Sequence, residues 1–453
     1  MDSTQSSNVE SHQAADANII ACQSRQYRFR WIIVLLFDIV SFVNAILWIS
    51  FTPVNSYAQA YYGVSAASID LFSTMFMILF LPGLILCAFS THRYGSKITC
   101  VSASALNFVA ALLRYSSTLD DKRARPGGYG IALCGQILAS LAQPISISLP
   151  GRIATVWFSD TQRNIAIVLL SLSNFLGIAV GQILPGIFVD AESGFPNLQL
   201  AVLILATISF LGCLLMFREA PPTPPSSHAA DRLEQEKTNN FVGHLSSNTR
   251  LLFQKRSFLA LSVGFGFGLG VFNVLLTKIE VIVFPFSPED AGIFGAVCMI
   301  SGFLGSGIFG ATMDATLAHH RILRICTFTS LILLTLLFVS LKLNGSFAVV
   351  CLVFGALGFF LLPLMPICIE CAALCTYPVP EEMSTGALVL FGNVLGFLGT
   401  LITNDYSSES LISAVSVGNL ILSLAYIIAA IAMLFFQSET SVRLSKPIAT
   451  ELE

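Results

Sequence analysis

The sequence predicts an all-α membrane protein whose twelve transmembrane helices form two pseudo-symmetric six-helix halves. Three observations predict it: a composition too apolar for a water-facing surface, apolar runs of membrane-spanning length in two sets of six, and a partial repeat between the sets. Of the 453 residues, 55% are hydrophobic and only 11% are charged, and the mean hydropathy is +0.78. A soluble domain carries about 25% charged residues to keep its surface wet, so these apolar side chains must face lipid or one another. A net charge of −3 supplies no basic surface for nucleic acid.

A helix needs about 20 apolar residues to cross the ~30 Å hydrocarbon layer. Runs of that size occur at 29–51, 69–90, 97–114, 129–149, 163–188 and 197–217, and again at 257–284, 291–313, 322–341, 346–366, 384–403 and 411–436. The stretch 366–376 is apolar enough to extend the tenth run. Residues 1–28 are polar and lack the apolar core of a signal peptide, so they are expected to be a disordered cytosolic N-terminus. The interval 218–256 is rich in Pro, Ser and charge and reads as a cytosolic linker. It separates an N-terminal bundle, 29–217, from a C-terminal bundle, 257–436, and residues 437–453 form a cytosolic tail.

The distribution of basic residues sets the expected orientation. With the N-terminus inside, inner segments hold 17 of the 23 Lys and Arg residues. Outer segments hold Arg114, Lys122, Arg123, Arg125 and Lys342, while Lys278 lies in the seventh run. Both termini are therefore expected in the cytosol.

The repeat links residues 149–177, LPGRIATVWFSDTQRNIA…SLSNFLG, with 365–396, MPICIECAALCTYPVPEEMSTGA…LFGNVLG. In each, a Pro-containing helix end leads through a short polar loop to a helix with Asn-x-Leu-Gly, which aligns Asn174 with Asn393. Related halves facing a central cavity are the architecture of alternating access.

Ionisable groups at membrane depth are costly and mark candidate sites. Asp38 reads either as a coupling or cation-binding carboxylate or as a helix-packing residue. Glu370, at the inner end of the tenth run, reads as an anchor for a neighbouring loop or helix start. Lys278 and Glu280 lie near the outer end, where they snorkel or pair. The amides Asn44, Asn107, Gln136, Gln143, Asn174, Gln182, Asn273 and Asn393 lie within the runs and serve as interhelical glue or as cavity lining. Trp48 stands four residues beyond Asn44, on the same helical face. Its ring either binds an organic cation or belongs to the interfacial aromatic belt.

No Walker A sequence, nucleophile triad or metal motif is present, so neither an ATP-driven pump nor an enzyme is expected, and no cofactor. The CxxCxxxC spacing of Cys368, Cys371 and Cys375 lies on an apolar helix and reads as packing. None of the six histidines falls within a run, which leaves carboxylates as the groups for any proton coupling.

Several stretches carry a family resemblance. The loop His92-Arg93-Tyr94-Gly95-Ser96-Lys97, with its counterpart Gly310-Ala-Thr-Met-Asp314, resembles the gating loops of the major facilitator superfamily, although the first copy lacks the usual acidic residue. Asn44-Ala-Ile-Leu-Trp48-Ile-Ser-Phe-Thr-Pro53-Val, Ala142-Gln143 through Trp157-Phe158, and Glu370 through Tyr377-Pro378 to Gly386 are similar to solute carrier family 49. This is the family of the feline leukaemia virus subgroup C receptor-related transporters, and the third (A3) branch is the most similar.

The resemblance implies the major facilitator fold and a substrate cavity. In the receptor-type members that cavity holds a Trp on helix one, a Tyr on helix seven, and Gln residues on helices four and eleven. Carried over, Trp48 and Gln143 match the Trp and the first Gln, while the other two positions read Asn273 and Asn393. The resemblance also assigns gating or structural roles to Arg93, Gly95, Lys97, Asp314 and Glu370.

The expected function is secondary or facilitative transport of a small organic metabolite by alternating access, with a cationic amine or vitamin such as choline, ethanolamine or pyridoxine as the candidate class. Trp48, Gln143, Asn273, Asn393, Asn44 and Asp38 are the candidate substrate-binding residues. Haem or porphyrin export and a non-transporting receptor remain the alternatives. The expected partners are a small-molecule substrate and the lipid bilayer, with a monomeric chain in the plasma membrane more readily than the lysosome.

Overall fold

In a computed structural model of the chain, the described residues are 27–119, 126–189, 194–223, 250–316, 318–376, 379, 381–405 and 411–436. Most of the expected N-terminus and of the linker, and the whole of the tail 437–453, lie outside them.

Eleven helices are long and apolar enough to cross a membrane, and a shorter apolar helix, Ala66–Ile78, accompanies them. That helix leads straight into a long one, Phe80–Ser116, which has non-helical geometry at Gly95 (φ 86°, ψ 175°). Two crossings therefore meet at Gly95, and the total is the twelve expected from the sequence.

The elements of the first half are α1 (Arg30–Ile49), α2 (Asn55–Tyr62), α3 (Ala66–Ile78), α4 (Phe80–Ser116), α5 (Pro126–Ala142), α6 (Ile145–Ser148), α7 (Pro150–Trp157), α8 (Asp160–Phe188) and α9 (Phe195–Met216). The second half comprises α10 (Arg256–Thr277), α11 (Ile279–Ile282), α12 (Pro288–Thr316), α13 (His319–Lys342), α14 (Phe347–Leu361), α15 (Leu364–Thr376), α16 (Glu381–Asp405) and α17 (Leu411–Phe435).

The packing within each half repeats. α1 lies on α8 as α10 lies on α16; α4 lies on α5 as α12 lies on α14; α4 meets α9 as α13 meets α17. Between the halves, α8 packs against α12 and α3 against α16. Those two seams bring residues of both halves into one buried apolar cluster, which includes Trp48, Phe76, Phe80, Phe265 and Phe272. Large apolar residues such as Leu35, Ile187, Ile332 and Leu352 point outward and are exposed, as a lipid-facing rim requires.

Corresponding crossings are broken at proline. The fourth crossing stops at Ala142 and resumes at Ile145 around Pro144, and the tenth stops at Leu361 and resumes at Leu364 around Pro363. Proline lacks the N–H that would continue the ladder and biases the preceding residue out of the helix. Proline-interrupted helices in matching positions of two repeats point to a binding site.

Candidate functional site

The side chains singled out by the sequence fall at different levels, and helix α3 with the start of α4 serves as a ruler. The Trp48 ring lies 6.5 Å from Phe76. Next to Phe76, the sulfur of Met77 stands 3.2 Å from where a Cβ on Gly396 would lie, and Asn273 Cβ stands 2.9 Å from the same point. Asn273 Nδ2 donates to Asn393 Oδ1 at 3.1 Å. Trp48, Asn273 and Asn393 are thus brought to one level, across the α3–α16 seam.

Gln143 sits in the break between α5 and α6. Its neighbours Leu141 and Pro144 crowd Gly83, seven residues beyond Phe76 and so about 10 Å along the ruler. Asp38 lies ten residues before Trp48 on α1, about 15 Å toward the end of the bundle where α1 begins, beside the Ser173 hydroxyl.

Five polar atoms of the candidate residues are buried without a protein partner: Trp48 Nε1, Asn393 Nδ2, Gln143 Oε1, Asn44 Oδ1 and one Asp38 carboxylate oxygen. Buried polar groups are normally paired, yet both Gln182 amide atoms, Gln199 Nε2 and several hydroxyls share this state. Phe175, Phe265, Phe272, Leu361, Leu362 and Met365 help line an apolar cavity of about 40 Å³ at the Pro363 break.

Asn44 is placed differently from the others. Its Nδ2 donates to Asn107 Oδ1 at 2.8 Å and to the Ala139 carbonyl at 2.9 Å. Both donors are engaged inside the first half, where Asn44 ties α1 to α4 and α5.

At the end of the bundle opposite the start of α1, the expected pairing of Lys278 and Glu280 takes a definite form, and one partner is a carboxylate that the sequence does not mark. Asp70 on α3 is buried and forms an ion pair with Lys278, the residue that links α10 to α11. Asn55 Nδ2 donates to the other Asp70 oxygen at 2.9 Å. Glu280 accepts the Ser56 N–H at the start of α2, at 3.1 and 3.3 Å, where the helix dipole favours a negative charge. The Asp70–Lys278 and Glu280–Ser56 contacts join one half to the other. Beside them the seams close on glycine. A Cβ on Gly292 would stand 2.4 Å from the Gln182 carbonyl oxygen, and one on Gly295 would stand 2.8 Å from its side chain.

Arg114, expected in an outer segment, is fully buried. Its guanidinium donates to Gln199 Oε1, Gln136 Oε1, the Leu47 carbonyl and Ser50 Oγ at 2.8–3.1 Å, and it lies 4.4 Å from the Phe51 ring. Gln136 also donates to the Leu47 carbonyl. Carbonyls in the last turn of a helix lack intrahelical partners, and these two side chains satisfy one of them beside Trp48.

The loop at 92–97 meets a carboxylate from elsewhere in the chain. Glu219, just after α9, accepts the Ser96 N–H at 2.9 Å and the Lys97 N–H at 2.6 Å, and Arg152 Nη2 donates to it at 3.2 Å. A second Arg152 nitrogen holds the Thr91 carbonyl. The acid missing from the loop is supplied from 122 residues farther along the chain. Arg93 is exposed, and the Asp314 side chain lies outside the described residues. Glu370 accepts from or donates to nothing on α16 in the described contacts but stands 3.4 Å from His319 Nε2, at the start of α13.

Residues 37–403 match the family model of the Major Facilitator Superfamily. The choline/ethanolamine transporter FLVCR2 of Rattus norvegicus is 29% identical over 84% of this chain and 70% of its own length. Solute carrier family 49 member A3 of Xenopus tropicalis is 28% identical over 83% of this chain and 78% of its own length. Among solved structures, a D-xylose–proton symporter superposes with a TM-score of 0.69 at 14% identity, covering 92% of this chain and 99% of that one. The Escherichia coli fucose–proton symporter gives 0.61 at 13% identity, covering 90% and 100%. Those two likenesses concern the fold alone. The chain is a small-molecule transporter that belongs to the Major Facilitator Superfamily, within which its relatives are those of solute carrier family 49.

Proposed function

We propose that this transporter carries a small organic amine across the plasma membrane by rocking its two halves about a site on Trp48, Gln143, Asn273 and Asn393. The observation that carries this reading is the joint between the halves. Asp70–Lys278 and Glu280–Ser56 join them at the end remote from the start of α1, through contacts that separation of the halves would break and closure would remake. The positive-inside distribution supports a cytosolic location for the end where α1 begins, so the joint reads as the outer gate in its closed position. The printed names of the relatives, choline/ethanolamine transporters, support an amine as cargo, and the Trp48 ring offers a cation its π face.

Asp38, farther toward the cytosolic end, supplies negative charge on the exit path. Arg93, Gly95, Lys97 and Asp314 act in the cytosolic loops, with Glu370 beside His319. The chain is taken to work as a monomer.

The test is uptake of radiolabelled ethanolamine, choline and pyridoxine into cells expressing the chain, with Trp48→Ala in parallel. Accumulation above control cells that falls at least about tenfold in Trp48→Ala supports the reading. Accumulation of none of the three overturns it.

A further inference from the structure

We propose that Asp70 is a proton-operated latch on the outer gate: a proton arriving from outside takes the carboxylate from Lys278 and lets the two halves part. The inference rests on the reading of the Asp70–Lys278 joint as that gate, and adds the species that releases it.

Both side chains of the pair are nearly inaccessible, yet a way in from the surface lies beside them. Between α3 and α16 there is a cavity of about 180 Å³, whose lining includes Ala67, Ser68, Asp70, Thr74, Thr400 and Leu401. Ala67 and Leu401 are exposed, whereas Asp70, Thr74 and Thr400 are buried. The cavity therefore runs from the surface down to the turn of α3 that carries the acid. At about 30 Å³ per molecule it has room for several waters.

The threonines suit water. Thr74 Oγ1 donates to the Asp70 carbonyl at 3.1 Å, and Thr400 Oγ1 to the Gly396 carbonyl at 2.9 Å. Each hydroxyl hydrogen is used within its own helix, which leaves the oxygen to accept from water. Intramembrane carboxylates beside water-filled cavities mark proton pathways.

The partners of the carboxylate favour a proton over a larger cation. Lys278 holds one Asp70 oxygen, and Asn55 Nδ2 donates to the other at 2.9 Å. A metal ion or an organic cation needs one of them moved aside first, whereas a proton needs no room. Hydronium gives its proton to the oxygen that Lys278 holds and leaves a water in the cavity. One O–H bond forms, the ionic hydrogen bond from the ammonium is lost, Lys278 keeps its charge and Asp70 becomes a neutral acid.

Among the described side chains, the charged groups that face Asp70 are Lys278, at the end of α10, and Glu280, on α11. From α2 comes the neutral Asn55. From α5 comes Tyr129, whose hydroxyl donates to the Ser68 carbonyl at 2.8 Å. Arg114 of α4 is engaged by its own acceptors, and α16 contributes Thr400 and Leu401. Opening takes the ammonium away from the carboxylate, so the open form binds a proton that the closed form excludes. Acid on the outer side thus shifts the carrier toward the open form.

The experiment uses the full-length chain carrying Thr277→Cys, next to Lys278, with the chain lacking that change as background. It is labelled from outside with an impermeant maleimide at outer pH values from about 7.5 down to about 5. Each rate is divided by that of the Asp70→Asn protein at the same pH, which cancels the titration of the thiol itself. Ala67→Cys, at an exposed position, gives the same correction should Asp70→Asn not fold. The chain with Asp70 intact should label at least about tenfold more slowly than Asp70→Asn at the upper pH. The gap should narrow by at least about threefold at the lower pH, and Glu280→Gln should keep that response. A gap that does not change with pH overturns the proposal and leaves the gate standing, as does a response that Glu280→Gln abolishes. Equal labelling with and without Asp70→Asn at every pH overturns the latch and the gate together. These rates need no cargo, so a failure of the amine reading shows separately, in uptake.

Discussion

Lys278, at the end of the seventh crossing, is ion-paired with Asp70 on the second, 208 residues away and in the other half. Both side chains are nearly inaccessible, and Asn55 fills a further acceptor position of the carboxylate. Removing one partner from such a pair leaves a buried charge uncompensated, at a cost of about 3–5 kcal/mol. Asp70→Asn should therefore shift the protein toward separation of the halves at that end. A cysteine placed at Thr277 should react faster with a membrane-impermeant maleimide in Asp70→Asn than in the parent. The double exchange Asp70→Lys with Lys278→Asp should recover much of the protection, and a labelling rate unaffected by either change would refute the gate.

The glycine seam gives a second prediction about the same joint. A methyl on Gly295 would sit within 2.8 Å of Gln182, against a side chain that is itself fully buried. Overpacking of this kind costs about 1–3 kcal/mol and falls on the closed position. Gly295→Ala should raise maleimide reactivity at the same end and slow net transport, without loss of the folded protein in size-exclusion chromatography.

Arg114 predicts a loss of stability rather than of gating. Its four hydrogen-bonded acceptors come from α1, the turn after it, α5 and α9. Lysine keeps the charge but cannot present the planar fork, and methionine leaves Gln136, Gln199 and Ser50 to find other partners. Either change should lower the thermal unfolding midpoint in detergent, with losses of about 2–4 kcal/mol. Arg114→Lys should be the milder. Equal midpoints for parent and Arg114→Met would contradict the network.

Glu219 gives the fourth. Its carboxylate caps the helix that restarts at Ser96 and meets Arg152. It is more than one-third exposed, so the ion pair contributes little and the cap about 1 kcal/mol. Glu219→Gln should cost about that much. Gly95→Ala should cost more, because φ +86° disfavours any side chain and a Cβ would stand 2.6 Å from the Glu219 carboxylate. Thermal unfolding of the two variants side by side checks the order.

The crossings were legible in the sequence because lipid demands long apolar runs, and the broken tenth crossing showed as an extension at 366–376. The pairing of Asn273 with Asn393 was anticipated only as two positions of one site; their hydrogen bond depends on the register of α10 against α16, which no local pattern encodes. The sequence does not mark Asp70, because it is one carboxylate in a short apolar helix whose partner is distant in the chain. Arg114 counts among the outer basic residues for a related reason. A basic residue at a helix end looks the same in sequence whether it reaches into water or folds back against two glutamines. Asn44 shows the converse, a polar residue on the expected face whose donors are taken up by neighbouring helices.

The bond between Tyr27 and Thr223, 3.1 Å long, defines a physical boundary for the first half. The chain enters that half and leaves it at adjoining points, and Glu219 and Ala220 are already packed against it. A polypeptide severed after Thr223 would thus keep the described contacts of its first six crossings. Two separately produced fragments, meeting through the α3–α16 and α8–α12 seams, should be able to reconstitute a working carrier in one membrane.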